Sequence, residues 1–289
     1  MRKKHKEKGK KARIAAKPYH KSAGGSDKAT SGRPETAALS SPERINRYLA
    51  HCGLCSRREA DRWIIAGRIS INGKLIETPG VIVQVGDHVM VDEKLVEVQQ
   101  AHTYIIYHKP KGQLCSRSDN KGRPLIYDFL EVAPNVQSIG RLDMDTEGLL
   151  MLTDDGALTR ALTHPGAKVP REYRARVAGS VSMETLEKLG RGGQDIGRGD
   201  ISDAWEVTVS SESNGHTWLN IVILRGRWRE VRRTLEESGH PVRRLLRTRF
   251  GPIKLDEDMP KGTWRALNRG EIRKLRDRVE VPDEKNNRD

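Results

Sequence analysis

The sequence sets a polar, charged loop within the stretch Gly140-Arg141-Leu142-Asp143-Met144-Asp145-Thr146-Glu147-Gly148-Leu149-Leu150. Residues 136–139 before it are predicted as a strand, and the apolar run 149–153 after it is typical of a buried strand. A loop with glycine near each end and a strand on either side holds its side chains rigidly. Asp and Thr in such a loop can simply bond their own backbone, so the carboxylates alone do not establish a function.

A longer pattern, Gly-Arg-Leu-Asp-x-Asp-Thr-x-Gly-Leu-Leu-x-Leu-Thr-x-Asp-Gly, runs from Gly140 to Gly156. It resembles the signature of the ribosomal RNA pseudouridine synthases that carry an N-terminal RNA-binding module. In these enzymes the aspartate of Gly-Arg-Leu-Asp is the essential catalytic residue, so the resemblance implies that role for Asp143. It also implies that Arg141 enters the RNA stack and fills the place of the departed uridine. Asp145 and Thr146 would be structural and would tie the loop to its own backbone.

The composition is that of a two-domain protein without a membrane span. A chain of 289 residues is long enough for roughly two domains with their own cores. Hydrophobic residues make up 35% and charged residues 32%, and no apolar run approaches the roughly 20 residues of a membrane helix. The basic start at residues 1–6 is not followed by the apolar segment of a signal peptide. We therefore expect a cytoplasmic protein, and we expect it to be a monomer.

The three cysteines, Cys52, Cys55 and Cys115, are predicted to be reduced thiols. Three cysteines in a chain of this length cannot form a disulfide framework. The spacing Cys52-x-x-Cys55 is typical of zinc sites, but no second cysteine or histidine pair stands at the spacing that would complete four ligands. We expect these two residues to pack at the end of a helix.

The formal net charge of +14 indicates a polyanionic partner. In residues 1–40, twelve Lys and Arg stand against three acids, a net of +9, which leaves +5 for residues 41–289. With almost no large apolar residues, residues 1–40 are predicted to form a disordered basic arm. Electrostatic attachment to RNA phosphates is one interpretation of this arm, and a solvated tail or a targeting signal is the other.

Residues 42–98 are predicted to form one compact module of two helices and a small sheet. Ser41-Pro42-Glu43 is a helix start with proline at the first helical position. A second helix begins at Ser56, whose hydroxyl and Glu59 three residues later fit a capping box. The pair Asn72-Gly73 between short apolar runs predicts a β-hairpin.

The positive charge of this module lies on one side. A solvated helix face is the ordinary explanation of such a run, but the segments 56–60 and 66–74 resemble the small RNA-binding module first named from a ribosomal small-subunit protein. The resemblance implies that these cations face structured RNA, which proteins grip mainly through phosphates and shape. The candidate RNA-binding residues here are Arg57, Arg58, Arg62, Arg68 and Lys74.

After a polar linker at 93–102, residues 103–275 are predicted to form the second domain. Strands are predicted at 103–108, 172–177, 217–224, 242–250 and 263–267, and helices at 157–162, 182–189, 228–238 and after Asn268. Because strands and helices follow without a regular strand-helix-strand repeat, we expect an α+β fold with a mixed, largely antiparallel sheet flanked by helices. Residues 276–289 are predicted to be a charged C-terminal tail.

Two further segments of the second domain carry candidate site residues by resemblance. Tyr173 matches the family's tyrosine that packs against the target base, although a core tyrosine on an amphipathic strand is the alternative. In Arg225-Gly226-Arg227-Trp228-Arg229-Glu230-Val231-Arg232-Arg233, Arg232 corresponds to the basic residue that pairs with the catalytic carboxylate and keeps it ionised. Glu230 stands where many relatives have glutamine. The arginines expected to hold phosphates are Arg227, Arg229, Arg233, Arg243, Arg244, Arg247 and Arg249.

The implied reaction is the isomerisation of uridine to pseudouridine in ribosomal RNA, without a metal, nucleotide or redox cofactor. Large-subunit RNA is preferred over small-subunit RNA because the segments 109–112 and 225–233 look closer to the large-subunit enzymes. Two other functions stay open on the residues alone. One is a non-catalytic RNA-binding ribosome assembly factor. The other is a metal-dependent RNA phosphodiesterase built on Asp143, Asp145, Asp154 and Asp155.

Overall fold

The computed structural model describes residues 15–19, 36–37, 39, 41–96, 98–99 and 102–279. In these residues the strands are β1 Lys17–Pro18, β2 Thr36–Ala37, β3 Glu43–Arg44, β4 Ile69–Ile71, β5 Lys74–Ile76, β6 Ile82–Val83, β7 Val89–Val91, β8 Lys94–Leu95, β9 Val98–Gln99, β10 Tyr104–Lys109, β11 Gln137–Ser138, β12 Glu147–Thr153, β13 Arg171–Ala178, β14 Glu206–Ser213, β15 His216–Ile223, β16 Val242–Phe250, β17 Ile253–Lys254 and β18 Thr263–Ala266. The α-helices are α1 Ile45–His51, α2 Arg57–Ile65, α3 Gly156–Thr163, α4 Met183–Arg191, α5 Glu230–Glu237 and α6 Arg269–Arg278. None of these helices has the length and apolar character that a membrane crossing needs.

The N-terminal module packs two helices on a four-stranded antiparallel sheet of order β5-β4-β7-β8. Ile45, Leu49 and Ile64 are fully buried in its core, and burial of such side chains stabilises a fold by about 1.5–3 kcal/mol each. The Ser56 hydroxyl accepts a hydrogen bond from the Glu59 amide at 3.3 Å, which confirms Ser56 as the cap of α2. The Glu59 carboxylate pairs with Arg62 at 2.8 Å, so the second half of the predicted capping box is replaced by this ion pair.

The first helix starts later than predicted. Glu43–Arg44 pair with β6 as a short strand, and the amide of Ile45 donates to the carbonyl of Val81 at 2.8 Å. This long-range pairing outweighs the local preference of Pro42 for the first helical turn. Cys52 and Cys55, close after α1, are buried in the core of the module.

Short pieces of the predicted arm and linker are strands. Lys17–Pro18 pair with the start of β18, and Thr36–Ala37 pair with β9. Strands β8 and β9 fall within 93–102. The prediction of a disordered arm is wrong for its two strands, and the predicted polar linker contains strands as well, because backbone hydrogen bonds need no apolar side chain. The rest of the arm (1–14, 20–35, 38 and 40) and residues 280–289 of the predicted tail lie outside the described residues, while residues 276–278 belong to α6.

The second domain is built on one ten-stranded sheet of order β1-β18-β10-β12-β16-β13-β15-β14, with β11 paired to β12 and β17 to β16. Two pairings, β1 with β18 and β12 with β16, are parallel, and the others are antiparallel. Helices α4 and α5 pack on one face, and α3 and α6 pack on the other. The predicted α+β fold with a mixed, largely antiparallel sheet is confirmed.

Strand β12, the apolar run after the central loop, is buried along its whole length. It pairs antiparallel with β10, and at its first two residues, Glu147 and Gly148, it pairs in parallel with β16. A Cβ added at Gly148 would lie 2.2 Å from the backbone oxygen of Arg247. Only glycine therefore allows the two strands to approach here, and their contact fixes the end of the loop.

Two elements of the second domain differ from the sequence prediction. Strand β14 at the sheet edge was missed because nearly all its residues are exposed, so it lacks the apolar alternation of a half-buried strand. Helix α5 begins at Glu230 and not at Trp228, because Arg229 has a left-handed φ of 49° that cannot continue a right-handed helix.

Candidate active site

A pocket opens beside the loop that joins β11 to β12. It is lined by the loop itself and by side chains from β13, β15, β16 and the start of α5. Among its lining residues are Asp143, Tyr173, Arg232, Arg141 and Arg229. The structure thus brings together five of the residues that sequence analysis singled out, although they come from three separate parts of the chain.

Lys109, which is fully buried at the end of β10, stabilises the loop by hydrogen bonds to its backbone. Its ammonium donates hydrogen bonds to the carbonyls of Pro110 at 3.1 Å, Asp143 at 3.0 Å and Thr146 at 2.9 Å. Burial lowers the pKa of Lys109, and the nearby carboxylates oppose that effect. Sequence analysis missed this residue; the one local signal was a lysine that closes an apolar strand just before Pro110-Lys111-Gly112.

Asp145 joins the loop to helix α5. Arg229 donates to both of its carboxylate oxygens at 3.0 Å, the bidentate geometry of strong arginine–carboxylate pairs. Arg232 lies 3.2 Å from the same carboxylate and also donates to the backbone carbonyl of Asp145 at 2.9 Å. Asp145 is thus structural, as predicted, but its carboxylate ties the loop to Arg229 and Arg232 in addition to the loop's own backbone.

The predicted ion pair between Arg232 and Asp143 is not present. Arg232 forms its ion pair with Asp145, and its remaining hydrogen bond goes to the carbonyl of Val242 at 3.3 Å. The two aspartates stand two positions apart in one tight turn, where the Thr146 amide bonds the Asp143 carbonyl at 3.1 Å. Sequence spacing could not decide which of them the arginine meets.

The Asp143 carboxylate is half-buried and makes no ion pair with a described residue. Burial raises its pKa above the usual aspartate range, and the negative charge of Asp145 adds to the rise. The guanidiniums of Arg229, Arg232 and Arg141 lower it, without reversing the net direction. Asp143 is thus a carboxylate without an internal partner, in a field of positive charge, which is the arrangement needed to act on a bound molecule.

Asp145 shows the opposite balance. Burial alone would raise its pKa, but the hydrogen bonds from Arg229 and the charge of Arg232 lower it below the usual range. Two neighbouring carboxylates whose environments shift their pKa values in opposite directions take different roles in an active site. Here Asp145 is committed to holding the loop, while Asp143 faces the pocket.

Tyr173 forms part of the pocket wall from strand β13. It is 8% exposed, is packed in the apolar core beneath the pocket, and its hydroxyl has no hydrogen-bond partner among the described residues. The ring is a core residue on its inner side and lines the pocket on its outer side, so the core interpretation is met and packing against the target base stays a prediction. A flat wall opposite a carboxylate suits a planar ring as ligand.

Arg141 projects from the loop at the mouth of this pocket. Its side chain is exposed, and no ion pair joins it to a carboxylate in the described part of the chain. It is therefore available to a polyanion, and its insertion into the RNA stack stays a prediction.

Most of the arginines expected to hold phosphates are engaged within the protein. Arg233 is bonded to Asp200 at 2.6 Å, and Arg227 to Asp203 at 3.2 Å and to Glu230 at 3.2 Å. These two arginines are thus paired with Asp200, Asp203 and Glu230 in the free protein, and phosphate binding by them stays a prediction that requires these ion pairs to exchange. Arg229, Arg244 and Arg249 are likewise paired, with Asp145, Glu147 and Glu172. Arg247 is buried, so the prediction that it holds a phosphate is wrong, whereas Arg243 is exposed.

The cations of the N-terminal module divide in the same way. Arg62 pairs with Glu59 at 2.8 Å, and Arg68 makes a bidentate pair with Asp92 and lies 4.5 Å from the ring centre of Trp63. Both pairs are exposed, and pairs of that kind contribute about 0–1 kcal/mol, so RNA phosphates can compete for them. The candidates without a carboxylate partner among the described residues are Arg57, Arg58 and Lys74, all of them exposed.

The four aspartates proposed for a metal site do not converge. Asp154 bonds the Thr103 amide at 2.9 Å, and Asp155 caps α3 by accepting from the Leu158 amide at 2.8 Å. Strand β12 separates these residues from Asp143, and its seven residues span roughly 20 Å. The metal-dependent phosphodiesterase interpretation is therefore wrong for this set of carboxylates.

Comparison with known proteins agrees with the site. Residues 103–237 match the family described as RNA pseudouridylate synthase, and residues 43–89 match the S4 domain. The ribosomal large subunit pseudouridine synthase B of Escherichia coli (strain K12) is 38% identical over 252 residues, which cover 84% of this chain and 85% of that protein. Its namesake from Vibrio cholerae is 39% identical over 255 residues, which cover 84% and 77%. A crystal structure of a pseudouridylate synthase matches at TM-score 0.58 and 28% identity, covering 80% of this chain and 99% of that one.

Proposed function

The chain belongs to the RNA pseudouridylate synthase family, and on that premise we propose that it converts uridine to pseudouridine in large-subunit ribosomal RNA with Asp143 as the catalytic carboxylate. The relatives reported above are named for the large ribosomal subunit. The match of residues 43–89 to the S4 domain supports the same class of substrate, because a module of this kind is expected to face structured RNA.

The proposal rests on the Asp143 carboxylate, half-buried in one pocket with Tyr173 and without an internal partner. In the reaction the bond from the ribose C1′ to N1 of uracil breaks, the base turns, and C1′ bonds to C5. The proton on C5 is lost and N1 gains one, so the product is an isomer and no co-reactant is consumed. Asp143 assists at the sugar or the base, while the wall formed by Tyr173 confines the free uracil as it turns.

The target uridine has to leave the RNA stack before Asp143 can reach it, which costs a few kcal/mol. Arg141 stands exposed at the mouth of the pocket and can take the vacated place in the stack. Arg232 and Arg229 are positioning residues, because they act on Asp143 through Asp145 and through their charge.

The N-terminal module supplies a second attachment point for the RNA. Arg57, Arg58 and Lys74 are exposed cations without a carboxylate partner among the described residues. A second contact makes engagement of the pocket effectively intramolecular and limits the choice to uridines at one distance from the module. We also propose a monomer as the active unit, and the ribosomal substrate supports a cytoplasmic location.

The function is tested by incubating the purified protein with ribosomal RNA from a strain that lacks it, then mapping pseudouridine by carbodiimide treatment and primer extension. We expect one or very few new sites, in large-subunit RNA. New sites only in small-subunit or transfer RNA would refute the substrate assignment alone. If binding occurs without any new pseudouridine, the protein is an RNA-binding assembly factor and the proposed chemistry is wrong.

A further inference from the structure

An exposed tryptophan stands beside the pocket. Trp228 precedes α5 and is 48% exposed, although a ring of this size is normally buried for most of its area. The guanidinium of the next residue, Arg229, lies 6.0 Å from the centre of the ring and itself lines the pocket. The guanidinium of Arg233 lies 5.4 Å from the same ring centre, so about half of the Trp228 side chain is covered and the other half is open to a ligand that reaches the pocket.

The loop around Arg198 brings a second flat group onto this tryptophan. The guanidinium of Arg198 lies 3.8 Å from the centre of the Trp228 ring. Arg198 has a left-handed φ of 62°, between Gly197 and Gly199, whose φ values are 79° and 75°. A non-glycine residue in this region costs energy and is kept there by the surrounding structure.

Arg233 fastens the same loop to the tryptophan. Its guanidinium donates to the carbonyls of Ile196 at 3.1 Å and Gly197 at 3.0 Å, pairs with Asp200, and donates to the carbonyl of Trp228 at 3.0 Å. The loop and the segment before α5 are therefore cross-linked by one partly buried side chain. Trp228 and Arg198 form a prearranged pair and not a chance contact of two mobile side chains.

Arg198 differs from the other arginines of this region in its charge balance. Arg227 and Arg233 are neutralised by Asp203 and Asp200. Arg198 is exposed, and in the part of the chain that the structure describes it has no carboxylate partner. Its positive charge is left for an anion outside the protein.

We propose that Trp228 and Arg198 form a stacking platform for the base of a nucleotide adjacent to the target uridine. When the uridine leaves the stack, its neighbour loses one stacking partner, and a flat aromatic surface beside the pocket replaces it. Unstacked bases are bound in this way on aromatic rings and arginine planes. The exposed guanidinium of Arg198, which has no carboxylate partner among the described residues, can pair with the phosphate of the same nucleotide. The inference rests on the proposed function and specifies how the RNA beside the target uridine is bound.

Stacking of one base on an aromatic ring changes affinity by roughly 5- to 150-fold. We therefore expect Trp228→Ala to raise the KM for the mapped ribosomal RNA fragment within that range, with kcat within about twofold. Trp228→Phe should restore most of the loss, because it keeps a flat ring. Arg198→Ala should raise KM and reduce the salt dependence of binding.

The matched control is Trp218→Ala. Trp218 also lies near two arginines, with Arg174 at 5.2 Å and Arg244 at 5.9 Å from its ring centre. It alternates along β15 with Leu219, which is in the core beneath the pocket, so it faces the other side of the sheet. Its removal should leave KM unchanged.

The decisive measurement pairs the protein variants with RNA in which the nucleotide 5′ or 3′ of the target uridine is abasic. One abasic RNA should bind wild-type protein more weakly but bind Trp228→Ala no more weakly than the intact RNA. Each protein is compared with itself on intact and abasic RNA, so a fraction of unfolded variant lowers the binding of both RNAs equally and does not change their ratio. An equal loss of affinity in both proteins, or no loss of affinity with either abasic RNA, would overturn the platform. The proposed function would stand in that case as long as the wild-type protein forms pseudouridine in the intact RNA. If the wild-type protein modifies no uridine, both are overturned.

Discussion

Replacing Lys109 by methionine removes the buried ammonium beneath the catalytic loop while keeping most of the side-chain volume. The carbonyl of Asp143 retains the Thr146 amide as donor, but those of Pro110 and Thr146 lose the bond from Lys109. Leaving a buried polar group unsatisfied costs about 1–3 kcal/mol, so the two carbonyls cost roughly 2–6 kcal/mol. Removing a buried charge returns part of this, and we expect a net loss of roughly 2–4 kcal/mol.

For a domain of this size, this decrease in the free energy of unfolding corresponds to a fall in Tm of about 5–15 °C. Because the loop carries Asp143, we also expect kcat to fall by about 100-fold, the usual effect of a displacement near 1 Å in an active site. Calorimetry and single-turnover assays measure the two effects. The control is Lys111→Met, which removes an exposed lysine two residues away. Wild-type Tm and turnover in Lys109→Met would refute the bracing role of this lysine.

Three further variants test the charges and the packing around the loop. Arg229→Leu and Arg232→Leu each remove a cation that lowers the pKa of the Asp143 carboxylate. The acid limb of the pH–rate profile should therefore move to higher pH in both variants, and the shift should be larger for Arg229→Leu. An acid limb that stays in place in both variants would contradict this. Gly148→Ala forces a Cβ against the backbone of Arg247 and should cost roughly 3 kcal/mol in urea unfolding. Gly140→Ala meets no atom within 4 Å and should cost less; equal losses would contradict the close-approach explanation.

Local signals in the sequence predicted much of the fold. Ser182 and Asn268 cap α4 and α6 as expected, because a cap depends on residues three positions apart. The strand–loop–strand around Asp143 was also predicted correctly, since an apolar run and flanking glycines are local features. Where the sequence failed, a distant partner was involved, as with Glu43–Arg44, which pairs with β6 although Pro42 favours a helix.

The candidate site shows the same limit. The resemblance pointed to Asp143, Tyr173 and Arg232, and the structure brings all three to one pocket. It could not show that Arg232 meets Asp145, because two carboxylates in one turn are equivalent by spacing. Nor could it show that Arg233 is neutralised by Asp200, since that pairing depends on where a loop more than thirty positions earlier folds.

The different duties of the two loop aspartates are tested most directly by measuring pseudouridine formation with Asp143→Asn and Asp145→Asn under single-turnover conditions. We predict no detectable product from Asp143→Asn, with RNA affinity within a few-fold of wild type, because the loop keeps its bonds to Lys109 and α5. Asp145→Asn should retain slow turnover and lose stability, because it breaks the pair with Arg229. Product from Asp143→Asn at the wild-type rate would contradict the assignment of the catalytic carboxylate.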